Sequence, residues 1–168
     1  SLNINYHKGS IEYKIALAHR LQEKFGQELL QDNEIRSRLL QLDENIEATW
    51  KEMVSVGVVR ECSDCAVKEG SCCGAGMENS YSEVLLLINL LLGRTLPSQA
   101  YDTNSCYFLG ENGCLLRARE VICVNYLCGQ IYRSIQKEKL IHLQKIAGQE
   151  LKSLFMLEED IKKKLRKY

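Results

Sequence analysis

Eight cysteines in a chain of 168 residues are the feature that most limits how this sequence can fold and function. They fall into two groups of four, Cys62, Cys65, Cys72 and Cys73, then Cys106, Cys114, Cys123 and Cys128. Single cysteines are common in protein cores, but core residues would be scattered along the chain instead of grouped in this way. The grouping therefore predicts that the thiols act together.

The spacing within the first group is typical of metal ligands. Two residues separate Cys62 from Cys65, which lets the chain curl so that both thiolates reach one cation. Cys72 and Cys73 are adjacent, and because neighbouring side chains diverge, the pair would bind a single zinc ion only with strain. The sequence predicts that these two cysteines serve different centres, or that one of them is a redox thiol or only borders the ligands.

The second group begins on a predicted β-hairpin, with residues 110–113 as the turn. Cys106 and Cys114 stand on opposite arms of this hairpin, and Cys123 and Cys128 come just before the last helical region. We expect the two groups to meet in space and to share metal centres.

The predicted ligands are the eight cysteines alone. The three histidines, His7, His19 and His142, are far from both cysteine groups in sequence. Sets of thiolates select zinc, iron–sulfur clusters or Cu(I), and the spacing does not choose among them. We expect zinc or iron as the cofactor, with an iron–sulfur cluster as one form of the iron.

The sequence carries no mark of export or of a membrane span. Residues 1–30 are charged throughout and lack the apolar core of a secretory signal, so we expect a cytoplasmic protein. The longest apolar stretch, residues 84–92, is shorter than the roughly 20 residues that a membrane helix needs. In a reducing compartment, clustered cysteines are metal ligands or redox groups more often than disulfides.

The charges of the chain balance, with 22 Lys and Arg against 22 Asp and Glu. A neutral chain has no overall field to hold a phosphate backbone, so we expect no nucleic acid as a partner. We expect a metal ion as the ligand because of the thiols, and no membrane because the apolar stretch is short. The basic end of the chain, residues 162–167, is interpreted as a solvated helix end, with an anionic partner site as the alternative.

Apolar residues recur every three or four positions on both sides of the cysteines, which predicts amphipathic helices. Residues 10–57 hold two such runs, with Trp50 among the core positions and Asp32 or Asn33 as the cap between them. The short junction predicts an antiparallel helix hairpin. Residues 130–167 form a C-terminal helical region.

A third helix is predicted over residues 81–92, opened by Ser82 or Asn79 and ended by Gly93. It is apolar nearly all round and should be the most buried helix of the fold. The lone asparagine of its apolar run 84–92, Asn89, is interpreted as a hydrogen-bonded core residue.

Together these patterns predict one mainly α domain over residues 1–168. The helix hairpin at 10–57 and the helices at 130–167 would form a bundle around an irregular, Cys-rich metal-binding core at 60–129, which includes the short β-hairpin. The first cysteine group, within residues 60–76, is expected to lie in a loop because it is rich in Gly and Cys.

The order of the cysteine motifs, CxxC, CC, CYFLGENGC and CVNYLC, resembles the YkgJ-type family of zinc- or iron-chelating domains, which have a CxxCxxCC signature. The matching positions of the later half are Cys106, Phe108, Leu109, Gly113, Cys114, Arg119, Cys123, Tyr126 and Cys128. The chain departs from the family pattern at Glu120 and Leu127, where the family has proline, and in the longer gap between Cys65 and Cys72. The resemblance covers residues 62–128 and implies chelation of zinc or iron.

Three functions follow from these patterns. The first is a metal-binding protein that chelates zinc or iron through the eight cysteines. The second is an iron–sulfur redox or modification enzyme, for which Asp64, Glu69, Glu78 and Glu120 are the acidic residues nearest to the thiols in sequence. The third is a disulfide-stapled interaction domain, which requires an oxidising compartment.

Overall fold

The computed structural model describes residues 9–69 and 72–167, and for residues 66–69 it describes the main chain alone. The fold is mainly helical, as predicted. The elements in chain order are α1 (Ile11–Gln31), α2 (Asn33–Ser55), α3 (Val58–Glu69), a 3₁₀ turn (Met77–Ser80), α4 (Glu83–Leu91), β1 (Leu109–Gly110), β2 (Gly113–Cys114), α5 (Val121–Asn125), α6 (Gly129–Ser134) and α7 (Lys137–Leu165).

The first two helices are separated by a single residue, Asp32, which caps the second. Its carboxylate accepts hydrogen bonds from the backbone N–H groups of Glu34 and Ile35, both at 3.0 Å. These N–H groups have no partner within the helix, so the cap satisfies them and marks where α2 begins. The predicted cap at this junction is confirmed.

Each N-terminal helix packs mainly against a helix from later in the chain. The longest interfaces are those of α1 with α4 and of α2 with α7, while α1 and α2 contact each other less. The apolar stripes of the two helices are therefore buried against two different partners, and the expected hairpin is only a minor part of the packing.

The core has two separate parts. The first and larger part joins α1, α2, α4, the hairpin region and the second half of α7, and Phe108 and Leu157 are fully buried in it. The second part is small and lies where α2, α3 and α6 meet the start of α7. It contains Met53, Val58, Leu127, Ile131, Leu140 and Leu143.

The most buried helix is α4, in agreement with the sequence. Ser82 caps it, accepting a hydrogen bond from the N–H of Leu85 at 3.1 Å, and residues 84–90 are all buried. Gly93 follows its last turn with φ of +79°, a left-handed conformation that stops the helix and suits glycine.

Two local predictions are wrong. Residues 60–69 were expected to be a loop but belong to α3, which runs up to the two undescribed residues at 70 and 71. Trp50, expected in the core, is 46% exposed on α2, while its neighbour Thr49 is fully buried. The apolar stripe of α2 is thus displaced by one residue at this point.

The β-hairpin forms as predicted, although its strands are short. Leu109 pairs with Cys114 and Gly110 with Gly113 in antiparallel register. In the C-terminal region a break at residues 135 and 136 separates α6 from α7, and Gly148 lies inside α7 without interrupting it. Over the described part of the chain, no helix combines the length and the apolar composition that a bilayer span requires.

Candidate metal centre

The CxxC motif lies on a helix. Cys62 and Cys65 are three residues apart in α3, so their side chains leave the same face of that helix. Cys62 is exposed and Cys65 is half-buried. The helical spacing places the two thiols on one side of α3. The loop expected from the sequence would also bring them together, but with a different backbone conformation.

The last cysteine of the sequence lies near this motif. Cys128 is the residue before the first turn of α6, and α6 packs against α3. Cys128 also packs on the small second core, to which α3 contributes Val58. The packing of these two helices thus brings Cys128 to the neighbourhood of the CxxC motif.

The other end of the first group is joined directly to the hairpin region. The backbone N–H of Cys106 donates to the carbonyl oxygen of Cys73 at 2.8 Å, and Gly74 and Ser105 form an antiparallel bridge beside it. Cys106 is buried at 7% exposure, and Cys73 is half-buried against the same core. The two cysteine groups therefore meet at this point, as predicted.

Cys114 ends β2, whereas Cys106 lies three residues before β1 and not on a hairpin strand, where the sequence predicts it. Backbone N–H groups nevertheless act on the two sulfurs in the same way. The backbone N–H of Phe108 acts on the sulfur of Cys106, and the backbone N–H of Leu116 acts on the sulfur of Cys114. In both cases the donor lies two residues after the cysteine. Such N–H groups stabilise a thiolate more than a neutral thiol, and both bonds lower the pKa of the sulfur they reach.

A third sulfur has a side-chain donor. The hydroxyl of Tyr81 lies 3.7 Å from the sulfur of Cys123 and also accepts a hydrogen bond from the N–H of Glu120 at 3.3 Å. Tyr81 is 1% exposed, and its ring makes an edge contact with Phe108 at 5.1 Å between centroids. Burial raises the pKa of the Tyr81 hydroxyl, which keeps it protonated as a donor. Tyr81 carries no functional signal in the sequence, since a tyrosine before an apolar helix is ordinary.

Desolvation acts against these donors and raises the pKa at all three sulfurs, although Cys114 as a whole residue is exposed. Desolvation raises the pKa of Cys106 to about 11, and it also raises the pKa values of Cys114 and Cys123. The positive charge of Arg119 acts in the other direction on the last two. The sulfurs thus have donors suited to thiolates, and a bound cation is the further group that would favour the charged form.

The segment between the hairpin and α5 is held in place by Asn89. Its side-chain oxygen accepts from the backbone N–H groups of Arg117 and Ala118 at 2.8 and 3.0 Å. Its amide nitrogen donates to the carbonyl oxygens of Leu85 and Ala118 at 3.0 and 2.9 Å. Asn89 is a satisfied core residue, as predicted, and it also fixes the connection between Cys114 and Cys123.

Two of the acidic residues near the cysteines accept hydrogen bonds from the backbone. Glu78 accepts from the N–H of Gly76 at 2.9 Å, and Glu120 accepts from the N–H of Val121 at the start of α5. Asp64 is exposed on α3, and the side chain of Glu69 lies outside the described residues.

Two of the histidines and the basic end of the chain lie on the long helices α1 and α7. His19 is on α1 and His142 is exposed on α7, while His7 lies outside the described residues. The lysines at the end of α7 have acidic partners within the chain: Lys162 with Glu159, Lys163 with Asp160 and Lys164 with Asp32.

An open cavity of about 540 Å³ borders Cys114. The hairpin turn forms one side of it, and Arg94, Ala100 and Tyr101 line the other. Cys114 is thus the hairpin cysteine that solvent and solutes reach, whereas Cys106 lies inside.

None of the eight cysteines is in a disulfide in the part of the chain that the structure describes. Within residues 9–69 and 72–167, no three His, Cys, Asp or Glu side chains converge closely enough to hold a metal ion. The donor atoms therefore suit a thiophilic metal in their chemistry, while their side chains are not drawn together as ligands.

The chain was compared with known proteins by sequence and by structure. No family model, no curated protein and no solved structure matches it.

Proposed function

We propose that this protein binds zinc or iron through its eight cysteines, Cys62, Cys65, Cys72, Cys73, Cys106, Cys114, Cys123 and Cys128. The observation that carries the proposal is the set of donors at three of the sulfurs. At Cys106 and Cys114 the backbone N–H group two residues on acts on the sulfur, and Cys123 faces the hydroxyl of Tyr81. Donors of this kind orient thiolate ligands and support their charge in metal sites.

Metal binding in this proposal is coupled to local closure of the site. Since the described thiols do not converge on one point, the ion would draw them together from their present positions. The free energy of coordination would then offset both the raised pKa values of the buried sulfurs and the ordering of their side chains. Bound metal should therefore stabilise the fold as a whole.

The donor set fits zinc or an iron–sulfur cluster. A zinc ion held by four thiolates has no open position, so zinc would have a structural or a storage role. A cluster would supply electron transfer instead. The motif resemblance to the YkgJ-type family of zinc- or iron-chelating domains supports the same pair of metals.

The enzyme alternative has less support from the site. A catalytic centre needs an acid or base free to reach a substrate. Glu78 and Glu120 are engaged by backbone N–H groups, which leaves the exposed Asp64 of α3 as the candidate among the described acids near the thiols. A binding role makes no such demand. We further propose a reducing, cytoplasmic location, because thiol ligands must stay reduced.

The proposal is tested by titrating the reduced, metal-free chain with Zn²⁺ and with Fe²⁺ under nitrogen, in competition with a chromophoric chelator. We expect tight uptake of at least one of the two metals, together with protection of the cysteines from alkylation by iodoacetamide. Proton release on binding should accompany it, because neutral thiols become thiolates.

Two variants sharpen the test. Cys106→Ser removes a buried sulfur that has its own N–H donor and should weaken metal uptake, whereas Ser63→Ala changes an exposed residue inside the CxxC motif and should leave it unchanged. Equal uptake by Cys106→Ser and the unmodified chain, or alkylation of all eight thiols in the presence of metal, would contradict the proposal.

A further inference from the structure

Two cysteines from different parts of the sequence lie opposite each other in the backbone. Gly74 and Ser105 form an antiparallel bridge, and the next pair in this register is Cys73 with Cys106. The backbone N–H of Cys106 donates to the carbonyl oxygen of Cys73 at 2.8 Å, which holds the two residues side by side. The carbonyl oxygen of Cys106 accepts instead from the N–H of Leu109, so the pairing ends at these two cysteines.

The side chains of this pair lie on the same side of the backbone contact. Residues directly opposite each other in an antiparallel pair project toward the same face, with their Cα atoms about 4.5–5.5 Å apart. The burial of the two residues agrees with this direction. Cys106 belongs to the first core, and Cys73 packs against the same core. The two thiols are therefore neighbours in space as well as in the backbone register.

This spacing suits a disulfide bond. Disulfides usually join cysteines whose Cα atoms are about 4.4–6.8 Å apart and whose Cβ atoms do not point away from each other. A directly opposite pair meets both conditions with little movement of the backbone. Within residues 9–69 and 72–167, strand pairing places no other two cysteines in this relation, since Cys114 on β2 pairs with Leu109.

The CxxC motif is the main competitor for oxidation. Cys62 and Cys65 share a face of α3, where side chains three residues apart have Cβ atoms about 5–6 Å apart. A disulfide needs about 3.5–4.5 Å between its Cβ atoms, so this pair would have to distort its helix. Opposite residues of an antiparallel pair start closer, at about 4.5–5.5 Å. Cys73 also lies in irregular backbone, which adjusts more easily than a helix.

We propose that Cys73 and Cys106 form a reversible disulfide on oxidation, and that this bond is a switch that turns off metal binding. The switch rests on the proposed metal-binding function, because a sulfur in a disulfide is no longer a thiolate ligand. The preference for this one pair among the eight cysteines rests on the backbone pairing alone. The bond would enclose residues 74–105, which contain all of α4.

The oxidant in this reaction is a small disulfide, such as oxidised glutathione. The thiolate of Cys73, which is more exposed than Cys106, attacks one sulfur of the oxidant and releases a glutathione thiolate. Cys106 then loses its proton and attacks the sulfur of Cys73 in this mixed disulfide, which releases the second glutathione thiolate. The two protons lost by the cysteines end on the two glutathione molecules, which also carry the two electrons. An excess of reduced glutathione reverses the reaction.

The first experiment uses the unmodified chain, reduced and free of metal, and so does not depend on the folding of variants. The chain is incubated with oxidised glutathione for increasing times, the remaining thiols are blocked with N-ethylmaleimide, and the disulfides are mapped by mass spectrometry. We expect the disulfide of Cys73 with Cys106 to form first, while the other cysteines are still alkylated. A disulfide between Cys62 and Cys65 that forms first, or a chain in which Cys73 and Cys106 are never joined, overturns the proposal.

The adjacent cysteines supply a matched pair of variants. Cys73→Ser removes one partner of the disulfide, whereas Cys72→Ser removes its exposed neighbour and leaves both partners in place. Because a disulfide that closes a long loop stabilises a folded chain, oxidation should raise the Tm of the metal-free unmodified protein and of Cys72→Ser by roughly 5–15 °C. Cys73→Ser should show no such rise. Circular dichroism follows the unfolding and shows that each variant is folded, and equal rises in the two variants contradict the assignment.

A metal titration tests the switch and separates it from the proposed function. The oxidised chain should lose the tight uptake of Zn²⁺ or Fe²⁺ that the reduced chain shows, and reduction with a phosphine should restore it. Uptake that oxidation leaves unchanged overturns the switch. If the disulfide forms but the reduced chain binds neither metal, the metal-binding function and the switch both fail while the pairing stands. If the chain binds metal but the disulfide does not form, the function stands and this inference fails.

Discussion

At the scale of single residues, the sequence predicts the role of Asn89 but not its hydrogen-bond partners. A lone polar residue in an apolar helix is visible in the sequence, and its role as a satisfied core residue follows from the cost of burying an amide without partners. Its actual partners, Arg117 and Ala118, could not be predicted, because they lie far along the chain and are set by how the loop folds over α4.

Replacing Asn89 should therefore be costly. Asn89→Ala leaves the N–H groups of Arg117 and Ala118 and the carbonyl oxygen of Ala118 without their buried partner, which we expect to lower the free energy of unfolding by about 3 kcal/mol. Urea unfolding measures the change.

The control is Asn45→Ala, which removes hydrogen bonds to Gln41, to the Gln149 carbonyl oxygen and to Ser153. Because water can replace these partners near the surface, it should cost about 1 kcal/mol or less. Similar losses in the two variants would contradict the role given to Asn89.

Glu150 is a residue that the sequence did not reveal. The helical periodicity of α7 favours Leu151 as the core position, but Glu150 is the buried one, at 1% exposure, and one of its oxygens has no hydrogen-bond partner among the described residues. Burial raises its pKa, while Thr49, Arg119 and Arg117 act weakly in the opposite direction.

The raised pKa makes stability depend on pH. Between the pKa of about 4.3 in the unfolded chain and the higher pKa in the folded chain, the folded state binds more protons, so stability falls as pH rises. Glu150→Gln removes this loss and should raise the Tm at pH 7, with little difference from the unmodified chain near pH 4. The exposed Glu44→Gln should show no such trend. A lower Tm for Glu150→Gln at pH 7 would mean that the carboxylate stabilises the fold as a charged partner of the arginines.

At the scale of elements, caps and periodicity predicted most helices, and the error concerns α3. Asp32, Ser82 and Gly93 end or begin helices where the sequence places them. Residues 60–69 were interpreted as a loop because of the nearby glycines and the cysteine knuckle, yet Val58 packs into the second core and anchors a helix there. Tertiary packing of that kind overrides a local compositional pattern.

Two glycines test the helix assignments, one after the end of α4 and one inside α7. Gly93 has φ of +79° after α4, so Gly93→Ala should lower the free energy of unfolding by about 1 kcal/mol. Gly148 lies inside α7 with open space around the position of a Cβ atom, so Gly148→Ala should raise it by about 0.5–1 kcal/mol. No atom lies within 4 Å of a Cβ at either site, so backbone conformation alone separates the two. Thermal unfolding of both variants measures this, and the same sign of change in both would contradict it.

At the scale of the whole molecule, the sequence does not predict which helices pack against each other. Apolar stripes on α1 and α2 predict two amphipathic helices. A stripe shows which face of a helix is buried, but it does not show which other element packs against that face. The structure pairs them with α4 and α7. Ion pairs of Arg38 with Asp160 and of Lys164 with Asp32 join the end of α7 to the start of α2.

Metal should stabilise this whole assembly if the account is correct. An ion that binds the folded chain at 100 times its Kd adds about 2.7 kcal/mol to the free energy of unfolding, and for a chain of this size each kcal/mol raises the Tm by about 2–4 °C. We therefore expect a rise of several degrees on adding zinc to the reduced chain. The rise should be reduced in Cys106→Ser and unchanged in Ser63→Ala. No rise in the unmodified chain would show that its folding is independent of metal.

The most direct test of the central claim is the metal content of the protein purified without oxygen, measured together with its visible spectrum. The account predicts bound zinc with no visible band, or iron with labile sulfide and a broad absorption near about 400 nm. A protein that contains neither metal, and whose thiols are already paired as disulfides under these conditions, would contradict it.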